Sequence, residues 1–139
     1  MRRTAALALA AVLASTTAFA APMGVKQEMK EVVDAASNIL FAVGGDVDPA
    51  NGPDAAKVPA ARWAEGLKAA TTLKAIGVHL QGPQKKPGPE WTSSAADFAK
   101  FAAGAEEAAQ TKDGAAFSTA ANALADTCTA CHTKWKPKT

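Results

Sequence analysis

The sequence has no tyrosine, and cysteine and histidine occur only twice each. A structural zinc site takes four soft or imidazole ligands. Here His79 lies far from Cys128, Cys131 and His132, so the inventory argues against zinc. Long apolar runs are missing after the first twenty residues. A bilayer crossing takes about 20 consecutive apolar residues, so no stable membrane span is expected and the mature chain should be soluble. Regular apolar–polar alternation is also missing, which leaves no strand pattern. A charge excess is missing as well. The 15 Lys and Arg outnumber the 13 Asp and Glu only because of Arg2 and Arg3, at the extreme N-terminus. Without those two the charges balance. No basic stripe carries interleaved aromatics, so no nucleic-acid partner is expected.

What is present begins with a leader. Met1-Arg2-Arg3 is positive, residues 5–14 are all Ala, Leu and Val, and Ala18-Phe19-Ala20 is a small-x-small cleavage pattern. The cut is expected after Ala20, because cutting after Ala21 would put Pro22 at the scissile bond. The alternative, a membrane anchor, is opposed by the shortness of the apolar run. Residues 1–20 are thus expected to be a signal peptide, and 21–139 one exported domain with one core. Abundant alanine and scattered β-branched residues favour close-packed helices.

Near the C-terminus stands Cys128-Thr129-Ala130-Cys131-His132. Two cysteines two residues apart, followed at once by histidine, form the pattern for covalent attachment of c-type haem. Each thiol adds to one porphyrin vinyl group as a thioether, and the imidazole becomes the proximal iron ligand. Both cysteines are used and none is left over. The competing readings are thiol–disulfide exchange, which usually goes with a βαβ pattern, and a plain structural disulfide in an exported protein. One covalently bound haem c is the expected cofactor. It would fill an otherwise thin alanine-rich core, so the haem-free chain is expected to fold poorly.

Four helical segments separate at Gly- and Pro-rich breaks. The first is expected over 25–43, with Val25, Met29, Val32, Val33, Ala36, Ile39, Leu40 and Val43 inward and Lys26, Glu28, Lys30, Glu31 and Asp34 outward. Gly44-Gly45 is expected to end it. Residues 46–58 read as a loop, with Pro49, Asn51-Gly52 and Pro53 as turn formers. The second helix is expected from Pro59 to Leu80, with Trp63, Leu67, Ala70, Leu73 and Ile76 inward. Its Gly66 and Gly77 either weaken it or admit a close neighbour. A proline-rich break over 82–90 contains Lys85-Lys86. The third helix is expected to begin at Thr92 to Ser94, where Ser94 and Asp97 resemble a capping box. Its stripe is Phe98, Phe101, Ala102, Ala105 and Ala109, and Asp113-Gly114 should break it. The fourth spans 115–135, with Phe117, Ala121, Leu124, Cys128, Cys131 and Trp135 in a four-then-three seam. The expected fold is all-α, an antiparallel four-helix bundle with a covalently attached haem hung from the inner face of its last helix.

The opposite iron position decides the chemistry. Met29 is the leading candidate, mid-face on the first helix, although methionine also serves simply to fill cores. Met23 is less well placed. His79 would give bis-histidine iron but reads as a solvent-facing or capping residue. With no side chain there, the iron would be five-coordinate and open to small gases. Trp63, Trp91, Phe98 and Phe101 are candidates for the porphyrin wall, with ordinary core packing as the alternative. Lys26 and Arg62 are candidates for the propionates. Lys134, Lys136 and Lys138 are either a docking rim for an acidic redox partner or a solvated tail.

The order of leader, four helices and C-terminal haem motif resembles class II cytochromes c, the family of cytochrome c′ and cytochrome c556. The resemblance covers essentially all of residues 21–139. Most single-haem cytochromes of the other major class carry the motif near the N-terminus. Gln27-Glu28-Met29-Lys30 resembles the cytochrome c556 segment whose methionine binds iron. Cytochromes c′ carry a non-ligating, often bulky apolar residue there. Asp97-Phe98, with Trp91 upstream, resembles the family's third-helix start. The resemblance implies low-spin iron between His132 and Met29. It implies a periplasmic electron carrier, not an enzyme, that serves unidentified redox proteins as a monomer or homodimer. The alternative is a cytochrome c′-like protein that binds nitric oxide or carbon monoxide.

Overall fold

The computed structural model describes residues 23–51, 54–82 and 88–136. The leader, Gly52 and Pro53 of the first loop, Lys85-Lys86 with Pro83 and Pro87, and Lys138 lie outside the described residues. Within them the chain forms four long helices and no strand, an all-α bundle.

The first helix occupies residues 25–47: Val25–Glu28, a π-helical stretch Met29–Val33, then Asp34–Val47. From the last residue of the π stretch onward, Val33, Ala36, Leu40, Val43 and Val47 are buried in alternating steps of three and four. Before it the buried residue is Glu28, five positions from Val33. The wider turn absorbs one extra residue and rotates the inward face by one position. That corrects the expectation for Glu28, which alternation without a bulge puts outside. Ile39 is also corrected: it is 42% exposed, because Ala36 and Leu40 already fill the inward direction. Nor does Gly44-Gly45 stop the helix. A Cβ on Gly44 would lie 3.2 Å from the Ala121 Cβ, so this glycine admits the closing helix. The helix ends at Val47, and Asp48 turns extended. The Asp48 carboxylate accepts from the Ser118 hydroxyl at 3.0 Å and from the Ala50 N–H at 2.9 Å. The connection contains two single 3-10 turns, Pro49–Asn51 and Ala55–Lys57.

The second helix, Ala60–Leu80, starts directly after Pro59, as expected. Its Gly77 is a contact point, since a Cβ there would lie 2.7 Å from the Ala99 backbone nitrogen. The third helix, Pro89–Thr111, begins three residues before Thr92, the earliest expected start. Gly88, at φ 119°, turns the chain, and Pro89 supplies a first-turn φ without wasting an N–H. Ser94 therefore lies inside the helix, and the expected capping box does not form. Lys112 closes this helix in the left-handed conformation. The closing helix, Gly114–Trp135, is capped by Asp113, whose side chain accepts from the Ala116 N–H at 2.9 Å.

Phe117, Leu40, Leu73, Leu124, Val43 and Val47 are the large apolar side chains fully removed from water. Alanines at 69, 70, 102, 105, 108 and 109 let the helices approach around them. A second, smaller cluster consists of Leu80, Trp91 and Ala95. Among the described residues no helix is long and apolar enough to cross a membrane.

Candidate functional site

The seam of the closing helix changes character along its length. Phe117, Ala121 and Leu124 are buried, whereas Cys128, Cys131 and Trp135 are only half-buried. The two thiols are unbridged. Burial pushes the Cys128 thiol above the ordinary cysteine range, and the neighbouring Cys131 adds to the shift. A thiol tuned for exchange chemistry is shifted the other way. His132 follows in the last turn of the helix and is exposed. Its backbone carbonyl accepts from the Lys136 N–H at 3.1 Å.

Facing this half-covered stretch is the start of the first helix. Met29 packs against both apolar clusters, sharing the larger with Cys128 and the smaller with Trp135, Val25 and Ile76. Met29 also opens the π stretch. Trp135 meets Trp91 edge to face, with ring centroids 5.2 Å apart. The Trp91 indole N–H donates to the Leu80 carbonyl at 2.6 Å, which ties the third helix to the end of the second. Lys134 extends over the Trp135 ring and pairs with Glu90, so this residue of the expected rim is already engaged.

The aromatic candidates divide. Trp91 stands in the cluster that Met29 touches. Phe98 is buried in the larger cluster. Phe101 packs half-buried on the same cluster, with the Lys100 ammonium 5.6 Å from its ring centre. Trp63 belongs to the same larger cluster but packs at its other end. It packs edge to face on Phe117, with ring centroids 6.0 Å apart. Phe117 lies eleven residues before Cys128 on one helix, about 16 Å along its axis. Trp63 is therefore a core aromatic at the far end of the bundle, not a wall of this site. Arg62 is likewise distant, bound to Asp46 at 2.6 Å and Glu65 at 2.7 Å.

One pair escaped the sequence reading. Glu28 is 1% exposed, and its Oε1 lies 2.7 Å from His79 Nδ1 on the second helix. His79 is solvent-facing, as expected, with its side chain 43% exposed, and it also pairs with Glu28. The only sequence signal was the acidic neighbour of Met29, and straight helical periodicity puts that neighbour outside.

The donor set suits a covalently held haem. Two half-buried thiols lie one helical turn apart, an imidazole follows, and a thioether packs on the small cluster that Trp135 joins. Aromatic edges line that cluster. Met29 and His132 are not brought together, since Met29 packs inward and His132 is exposed. Comparison of the chain with protein-family models, curated proteins and solved structures finds no match.

Proposed function

We propose that this chain is a periplasmic single-haem c-type cytochrome of the class II kind and an electron carrier, not an enzyme. Cys128 and Cys131 would hold the haem, and His132 and Met29 would be its axial ligands. The observation that carries the reading is Met29 packed on the small Leu80–Trp91–Ala95 cluster together with Trp135, at the half-covered end of the closing seam. The haem, when bound, supplies a one-electron Fe(III)/Fe(II) couple, and a methionine ligand raises its potential.

The chain's own residues then have definite tasks. Cys128 and Cys131 fix the group to the last helix. Trp91, Phe98, Trp135, Ile76 and Val25 exclude water on the buried side, and Phe101 covers it in part. A low-dielectric apolar wall keeps reorganisation small when the iron charge changes. The raised thiol of Cys128 speaks against dithiol exchange as the use of this pair.

Several contacts support an antiparallel arrangement. Leu80 meets Trp91, Gly77 meets Ala99, and Thr71 and Lys74 meet Glu106, so the third helix is met in reverse order along the second. Gly104 opposite Ala120 and Trp91 against Trp135 do the same for the third and closing helices. Residues 1–20 as a leader and 21–139 as the exported domain complete the proposal. Redox proteins would be its partners, and a monomer and a homodimer both fit.

Optical spectra of the purified protein in both redox states test it. Low-spin ferric iron with a sulfur-to-iron charge-transfer band is expected, and Met29→Ala should abolish that band and open the ferrous iron to carbon monoxide. A high-spin spectrum that Met29→Ala leaves unchanged would favour gas binding instead. A mass without the covalent haem increment, from a host able to attach haem, would remove both readings.

A further inference from the structure

A carboxylate almost wholly removed from water is costly unless it is paired. Glu28 is such a group, and its paired partner His79 lies on a different helix, 51 residues along the chain. The next residue is Met29, and with it the helix widens into the π stretch Met29–Val33. π turns are rare and concentrate at functional positions, because the wide ring wastes backbone packing unless something requires it. Here the extra residue turns Glu28 inward. A single turn of helix thus carries a buried carboxylate clamped to an exposed imidazole on the second helix, the π widening, and the thioether that meets both apolar clusters.

We propose that the Glu28–His79 hydrogen bond is a positioning device: it pins the π turn to the second helix and so holds the Met29 sulfur in register with the closing helix. The inference rests on Met29 being the distal ligand. The geometry has a clear logic. The described part of the first helix begins only a few residues earlier, and Val25, Met29 and Val32 are only half-buried. Apolar packing alone holds this end loosely, since a partly covered thioether can slide along an apolar surface at little cost. A hydrogen bond to a charged group is directional and fixes rotation as well as distance. His79 acts through Glu28 and is a positioning residue, not a ligand.

The test uses the haem-loaded protein and four variants. His79→Ala removes the donor. His79→Asn restores an N–H near the position of Nδ1. Glu106→Gln weakens a different interhelical polar contact, that to Lys74. Met29→Ala reports the ligand itself. His79→Ala should weaken the sulfur-to-iron charge-transfer band and speed carbon monoxide uptake by the ferrous protein about tenfold, the size expected for losing a hydrogen bond to a charged group. His79→Asn should recover most of both signals, and Glu106→Gln should change neither.

If Met29→Ala changes the spectrum and His79→Ala does not, the positioning role is wrong and the ligand assignment stands. If Met29→Ala changes nothing, the ligand assignment fails and the positioning role with it. If Glu106→Gln loosens the ligand as much as His79→Ala, the effect is general stability, which also overturns the inference. Should His79→Ala not fold, His79→Phe fills the same volume without the donor and is read in its place. Failure of both to fold would assign the pair to stability alone.

Discussion

Gly66 and Gly77 look alike in the sequence, two glycines eleven residues apart inside one helix, yet they face different neighbours. A methyl at Gly77 would press on the Ala99 backbone nitrogen at 2.7 Å and its Cα at 2.8 Å, which cannot move without shifting the third helix. A methyl at Gly66 would meet the Val43 Cγ1 at 2.9 Å and the Phe117 Cζ at 3.1 Å, the tips of side chains. Alanine gains about 0.8–1 kcal/mol of helix propensity at either position, whereas overpacking costs about 1–3 kcal/mol, more against rigid backbone. Gly77→Ala should therefore lower the urea midpoint clearly, and Gly66→Ala much less. Equal midpoints for the two variants would refute the distinction. The same contrast explains what could be read in advance. Cys128, Cys131 and His132 stand out as candidates because the motif lies in five contiguous residues. Glu28 and His79 were not, because their partnership joins two helices and depends on a π turn that no residue type announces.

The four helices themselves follow from periodicity, and the differences lie at their ends. Gly44 was read as a stop but serves as a contact, since Ala121 comes to 3.2 Å of where its Cβ would be. Pro89 was read as part of a break but starts a helix, because the left-handed Gly88 before it makes the turn. In both cases tertiary approach decided what the residue type left open. Between elements, the Lys74–Glu106 contact ties the second helix to the third, with the Thr71 hydroxyl donating to the same carboxylate at 2.7 Å. The Lys74 ammonium first, and Thr71 second, hold the Glu106 carboxyl below the usual carboxylate range. A carboxyl lowered by folding adds stability above its unfolded pKa, here about 4.5. That stability is lost as pH falls through the folded value. Wild type should therefore be more stable than Glu106→Gln at pH 7, and the two should converge as the pH is lowered past 4. Urea unfolding at several pH values measures this, and a gap that persists in acid would show that the contact acts by shape alone.

Over the whole molecule the apolar seam is unevenly closed. At one end Phe117, Leu124, Leu40, Val43 and Val47 are each 0% exposed, and Trp63 is 2% exposed. At the other end Val25, Met29, Ile76, Cys128, Cys131 and Trp135 are half-buried around Trp91 and Leu80. The sequence suggested a uniformly thin alanine core that needs its cofactor throughout, because composition averages over both ends. Under the proposed haem reading that need is confined to one end. Local opening free energy follows buried apolar contact, and a group bound only to the folded state stabilises what it touches. In protein made without haem attachment, amides at 40–47, 63–73, 102–109 and 117–124 should exchange slowly, and those at 25–33 and 128–135 first. Haem attachment should slow the second set far more than the first. Hydrogen exchange read by mass spectrometry compares the two forms directly. Uniformly fast exchange in the haem-free chain would mean that the tight end cannot stand alone. Uniform slowing on attachment would mean that the half-covered end is not where the cofactor sits.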